Sequence, residues 1–148
     1  MVDPRAKGAR GETQVRDELR KATGLKWERT PGSGALDPKH KLKGDLYIPD
    51  AANLYCVEIK NYEEDHISSK LLTAKSPILL EWWAQALRQG EQVDRKPLLI
   101  FKFNRSKIFV AFPDMPSSSN YRVLTINDAL FVATLDDWLT YEKPRFIE

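Results

Sequence analysis

The heptapeptide Leu54-Tyr55-Cys56-Val57-Glu58-Ile59-Lys60 is the tightest constraint the sequence carries. Its apolar, partly β-branched content marks a strand, and strand side chains alternate between faces. Val57 and Ile59 therefore point into a core, while Glu58 and Lys60 share the opposite face. A fold that buries this strand needs a use, or a partner, for an acid and a base placed side by side. Pro49 ends a preceding strand over residues 45–48, and residues 50–53 supply a turn. The two strands then pair as an antiparallel hairpin that sets Asp45 beside Glu58.

The rest of the chain supplies cover for that hairpin. Gly8, Glu12, Val15, Leu19 and Ala22 recur at helical steps, which predicts a first helix over residues 8–23, stopped by Gly24. Glu12 falls on the inward stripe, where a carboxylate is costly unless paired or bound to a cation. A short strand over residues 25–29 and a turn-rich loop over residues 30–43 follow. Ser76 and Pro77 predict the cap and first turn of a second helix that runs to about Gln89 and ends at Gly90. Trp82 and Trp83 are adjacent on it and point about 100° apart, so one is expected in the core and the other against a partner subunit. Residues 98–103 and 108–112 read as a second hairpin. Strands over 121–126 and 129–133 and a last helix capped by Thr134 and Asp137, ending near Glu142, complete the chain. The order predicts one α/β domain over residues 1–148, a mixed central sheet flanked by helices.

Composition removes several classes. No apolar run is long enough for a transmembrane helix, the first eleven residues have no signal-peptide pattern, and the single Cys56 excludes an internal disulfide. A soluble protein of the reducing cytoplasm, with no membrane partner, is expected, and Cys56 should be a small buried hydrophobe. No Cys/His cluster has zinc spacing. The net charge of +2 is modest, but basic residues gather at Arg5, Lys7, Arg10, Arg16, Arg20 and Lys21, and again at Lys39, His40, Lys41 and Lys43. Such clusters suit a polyanion, with Arg5, Lys7, Arg10, Lys39, Lys41 and Lys43 as the DNA-binding candidates.

Two carboxylates and an ammonium at one sheet edge, with Glu12 joining if the first helix packs there, suit phosphodiester hydrolysis. Hard divalent cations take one or two carboxylates plus phosphate and water, and they activate bound water and offset charge on the phosphate. Asp45, Glu58 and Glu12 are the candidate metal ligands, with Mg2+ as the cofactor and Mn2+ as its substitute. Lys60 would orient or deprotonate the attacking water, or steady the developing charge.

Gly44-Asp45 followed by Glu58-Ile59-Lys60 resembles the PD-(D/E)XK nuclease superfamily, with glycine where the leading proline stands. Within it the chain most resembles archaeal-type Holliday junction resolvases, including forms carried by viruses. The Lys7-Gly8 to Glu12 opening, the Pro31-Gly32-Ser33-Gly34 loop, Gln85 on a later helix and the Lys102 to Phe109 hairpin carry that resemblance, over roughly residues 7–112. It implies a restriction-endonuclease-like fold and a homodimer that cuts four-way DNA junctions with magnesium, in DNA recombination or repair. It also implies that Ser33 assists catalysis and that Gln85 supports the lysine or a metal-bound water. The loop over residues 34–43 and everything beyond residue 113 depart from the pattern.

Plainer readings stand beside these. Glu58 and Lys60 can form an ordinary ion pair, Glu12 can pair with Arg16, Ser33 can serve a glycine-rich turn, and Gln85 can be a surface amide. The chain can instead be a restriction, repair or phage DNA-processing endonuclease on other DNA structures, or a non-catalytic nucleic-acid-binding module with the same fold.

Overall fold

The computed structural model describes residues 4–31, 44–62, 68–103 and 106–148, and side chains from residue 10 onward except that of Tyr62. The elements are α1 (Pro4–Thr23), β1 (Glu28–Arg29), β2 (Leu46–Tyr47), β3 (Tyr55–Tyr62), α2 (Lys70–Thr73), α3 (Ile78–Gln92), β4 (Lys96–Phe103), β5 (Ile108–Phe112), β6 (Leu124–Asn127), β7 (Leu130–Thr134) and α4 (Leu135–Glu142). The strands form one seven-stranded sheet in the order β1-β2-β3-β4-β5-β7-β6. Only β3 and β4 run parallel; the other neighbours are antiparallel. Parallel neighbours need a crossover, and α3 provides it.

The alternation in β3 divides the interior in two. Val57 joins Val15 and Leu19 of α1, Leu98 and Ile100 of β4, and Trp138 of α4 on one face. Leu99 and Phe101, the register partners of Glu58 and Lys60, pack on the other face against Leu79, Trp82, Trp83 and Ala86 of α3. The mixed sheet between helices is the architecture the sequence predicts. Cys56 is buried, as expected.

Several local expectations are corrected. The buried stripe of α1 is Gly11, Val15 and Leu19, while Ala22 is exposed. Gly11 is buried because a Cβ there would sit 2.9 Å from Asn61 Nδ2, so its bare backbone lets α1 lie against β3. The helix α3 does not stop at Gly90 but passes through it to Gln92. A Cβ at Gly90 would meet the Arg95 carbonyl oxygen at 2.7 Å, so this glycine serves close packing against the start of β4. Pro77 occupies the N-cap position, with no side-chain cap. Trp82 and Trp83 are both buried, at 5% and 6% exposure, so neither is left for a partner. The cap on α4 is as expected: Thr134 Oγ1 accepts from Asp137 N at 3.3 Å.

The segment from residue 113 onward, where the family resemblance gave no match, packs against the rest of the domain. Phe146 packs edge-on to Trp27 (5.0 Å) and Trp138 (5.9 Å) and tilts against Tyr55 (5.6 Å). Its carbonyl accepts from Leu54 N, and Glu148 N donates to Ala52 O, which stitches the tail to the turn of the β2–β3 hairpin. The Glu142 carboxylate accepts from Ser117 N, Ser117 Oγ, Ser118 N and Tyr121 Oη, binding the loop before β6 to α4. Phe146→Ala should therefore cost about 3–5 kcal/mol of stability, read as a lower urea midpoint at unchanged slope.

Candidate active site

The site is built where β2 runs out. Gly44 has φ +87°, and a Cβ on it would meet the Val57 carbonyl oxygen at 2.6 Å. Proline is fixed near φ −65° and cannot stand there, so the glycine in place of the expected proline is required by this backbone. Asp45 N then donates to Val57 O at 2.6 Å, and its carbonyl accepts from Thr30 N at 3.0 Å. Its side chain continues the ladder: Asp45 Oδ2 accepts from Ile59 N at 2.7 Å. A carboxylate thus takes the place of a backbone acceptor, which locks Asp45 against the strand that carries Glu58 and Lys60.

Glu58 is the one buried charged residue among the described residues, at 5% exposure. Burial pushes its carboxyl up to about 8, with the Asp45 carboxylate adding to the rise and Lys60, then a hydrogen bond from Gln89, working against it. Burial likewise pushes Asp45 up to about 6, against the lowering effect of the Ile59 N–H, with neighbouring Glu12 raising it further. Asp45 and Glu12 lie within hydrogen-bond reach of each other. The structure therefore brings together all four residues of the predicted constellation. The chemistry is that of neighbouring carboxyl groups short of cations: burial raises the pKa of both Asp45 and Glu58, which favours their neutral forms. A hard divalent ion fits this donor set. Among the described residues no three His, Cys, Asp or Glu side chains form a group that could hold a metal ion, so an ion here would rest on a carboxylate pair and outside oxygens. Asp45 and Glu58 are the residues that would hold it.

Glu12 has a partner other than the predicted Arg16. Arg29 Nε donates to Glu12 Oε2 at 3.0 Å, while Arg16 pairs with Asp17. Arg29 was not singled out from sequence, and neither was Gln89. Gln85 is half-buried one turn before Gln89 on the same flank of α3, and it is Gln89 that bonds Glu58. The i, i+4 spacing of the two amides was the available signal. Arg20 is also structural, bonding Trp27 O and Glu28 at 2.7 Å each. Of the basic candidates, Arg10 is exposed on α1. The side chains of Arg5 and Lys7 lie outside the described residues, as do Ser33, Lys39, Lys41 and Lys43.

Two outcomes follow. Gly44→Pro, which would restore the missing proline, should instead destabilise by about 3 kcal/mol or more through strain and overpacking, seen by chemical denaturation. The second concerns pH. Folded-state values of about 6 and 8 exceed the ordinary carboxyl range, so the folded chain binds more protons than the unfolded one between those limits. The stabilisation is full below the unfolded values and is lost as pH rises through 6 and then 8. In chelator, Tm should fall by several degrees from pH 5 to pH 8.5. Glu58→Gln should flatten the fall, and a divalent cation should reverse it. A pH-independent Tm would contradict the burial of charge.

Residues 3–147 match the family model described as "Phage putative PDDEXK endonuclease". "Protein D14" of Escherichia phage T5 is 44% identical, over 93% of this chain and 92% of its own length. A looser likeness links the chain to the solved structure of Archaeoglobus fulgidus Hjc, a Holliday junction resolvase from an archaeal hyperthermophile. That match has 16% identity and a TM-score of 0.46, and covers 91% of this chain and 92% of the other.

Proposed function

Since the chain belongs to the phage PDDEXK endonuclease family, we propose that it is a magnesium-dependent DNA endonuclease whose reaction is run by Asp45, Glu58 and Lys60. The observation that carries this reading is buried Glu58 beside half-buried Asp45, with Lys60 next to them and Gln89 behind. Asp45 and Glu58 hold the ion, with Glu12 at its edge. The ion supplies water activation and offsets charge on the phosphate. Lys60 shares the Glu58 face of β3 and is only partly buried, so its ammonium can hold the attacking water or a phosphate oxygen. Gln89 fixes the Glu58 carboxylate in one orientation, and Gln85, one turn earlier on the same flank, supports Lys60 or a bound water. Ser33, which follows β1 in the sequence, assists catalysis, as the family resemblance implies. Manganese should substitute for magnesium.

The preferred substrate is a branched duplex, the four-way junction first. The motif resemblance supports this: the glutamate on the first helix, the serine loop and the Glu-x-Lys strand occur together. A two-fold junction suits a two-fold homodimer presenting two sites, with Arg5, Lys7, Arg10, Lys39, Lys41 and Lys43 on the backbone phosphates. Among the described residues no helix is long and apolar enough to cross a membrane. The enzyme's place of action is DNA in the cytoplasm, during recombination or repair.

The test is cleavage of end-labelled DNA by wild type and Asp45→Ala, with junction, flap, bubble and linear duplex offered in parallel. Wild type should cut the junction in two symmetric strands with Mg2+ or Mn2+. Asp45→Ala should lose at least about 100-fold. A wild type that cuts flaps or duplex equally well would move the substrate to general DNA processing. Equal activity in both proteins would remove Asp45 from the site.

A further inference from the structure

The ion pair between β1 and α1 has a geometry that a simple brace does not need. Arg29 Nε is committed to Glu12 Oε2 at 3.0 Å. Among the described residues this is its one hydrogen-bond or ion-pair partner, and no described residue engages its terminal amino groups. Its side chain is 41% exposed and that of Glu12 is 25% exposed. Glu12 in turn touches Asp45, and the residue after Arg29 donates its backbone N–H to the Asp45 carbonyl. The guanidinium is thus one side chain removed from the metal-binding pair, with its outer edge facing solvent.

Charge explains why a cation would be wanted there. Glu12, Asp45 and Glu58 place three carboxyl groups around the site, and among the described residues Lys60 is the one cation whose effect reaches both Asp45 and Glu58. Wherever these groups are ionised, a DNA strand approaching the site meets like charge. Arginine's planar fork can hold a carboxylate through one edge and a phosphate through another, which lysine's single ammonium cannot do.

We propose that Arg29 is a DNA-positioning residue: Glu12 holds its Nε, and its terminal amino groups grip a backbone phosphate of the strand lying across the site. This rests on the nuclease reading above. The exposed guanidinium orients the strand, and Glu12 keeps the guanidinium aimed while it balances the charge of Arg29 on the protein side.

The test is binding of a fluorescein-labelled four-way DNA junction in chelator, followed by anisotropy over a salt series, for wild type, Arg29→Ala, Arg29→Gln and Arg29→Lys. Removing one phosphate contact should lower the slope of log affinity against log salt by about 0.9. It should also weaken binding by about tenfold at moderate salt, in both Arg29→Ala and Arg29→Gln. Arg29→Lys should regain the slope, because charge is restored. Should Arg29→Ala fail to fold, Arg29→Gln keeps a hydrogen-bonding amide for Glu12 and carries the measurement. A folded Arg29→Gln with wild-type affinity and slope would overturn the proposal and leave the pair as a brace between α1 and β1. A wild type that binds no DNA would overturn this proposal together with the nuclease reading, whereas an altered variant beside a normal wild type separates the two.

Discussion

The hydrogen bond from Ile59 N to the Asp45 carboxylate organises this molecule. It extends the β2–β3 ladder by one rung, using a side chain where backbone has run out. The rung needs Gly44 at positive φ, because any Cβ there strikes the Val57 carbonyl. It also needs β2 to be short, which Pro49 and the Asn53 side chain arrange. Asn53 accepts from Ile48 N and donates to Ile48 O and Ala51 O, closing the turn in place of a further strand pair. Once the rung forms, Asp45 cannot turn away from Glu58, and the two carboxylates share an environment that disfavours their charge.

That environment comes from the crossover. The strands β3 and β4 pair in parallel with Glu58 opposite Leu99 and Lys60 opposite Phe101. Parallel strands are covered on both faces, so the charged face of β3 lies under α3 and not in water. Trp82 and Trp83 close the cover, and Gln89 is the polar group that α3 lowers onto Glu58. The acid is buried because the topology requires a helix there, and a cation would then relieve the cost of that burial.

Much of this could be read from the residues. The alternation in β3 predicts which side chains share a face, and the short turn after Pro49 predicts the hairpin. The pattern of charge in apolar surroundings then points to Asp45, Glu58 and Lys60. What could not be read depends on contacts between distant segments. Gly90 looks like a helix stop until the Arg95 carbonyl is seen to lie 2.7 Å from its missing Cβ. Gln85 and Gln89 are equivalent by spacing, and only the docking angle of α3 selects the second. Arg29 closes a two-residue strand, and its relation to Glu12 depends on how α1 packs, which Gly11 permits by its contact with Asn61. From residue 113 onward the strand and the Thr134-capped helix could be read, but not the packing of Phe146 on Trp27, Tyr55 and Trp138, which joins distant segments.

The tail also explains how the domain tolerates its own site. Charge on buried Glu58 and half-buried Asp45 opposes folding at neutral pH, so stability must come from elsewhere. The opposite end of β3 supplies it: Tyr55 begins the strand and packs with Trp138 and Phe146, which in turn meets Trp27 at the entry to β1. These rings grip the β2–β3 turn and β1 from behind. Aromatic contacts of this kind add to what their burial alone contributes, and they are remote from the charges, so they do not depend on the ionisation of Asp45 or Glu58. The hairpin is therefore anchored at its turn by apolar packing and left electrostatically unsatisfied at its open end, where a cation and a phosphate would complete it.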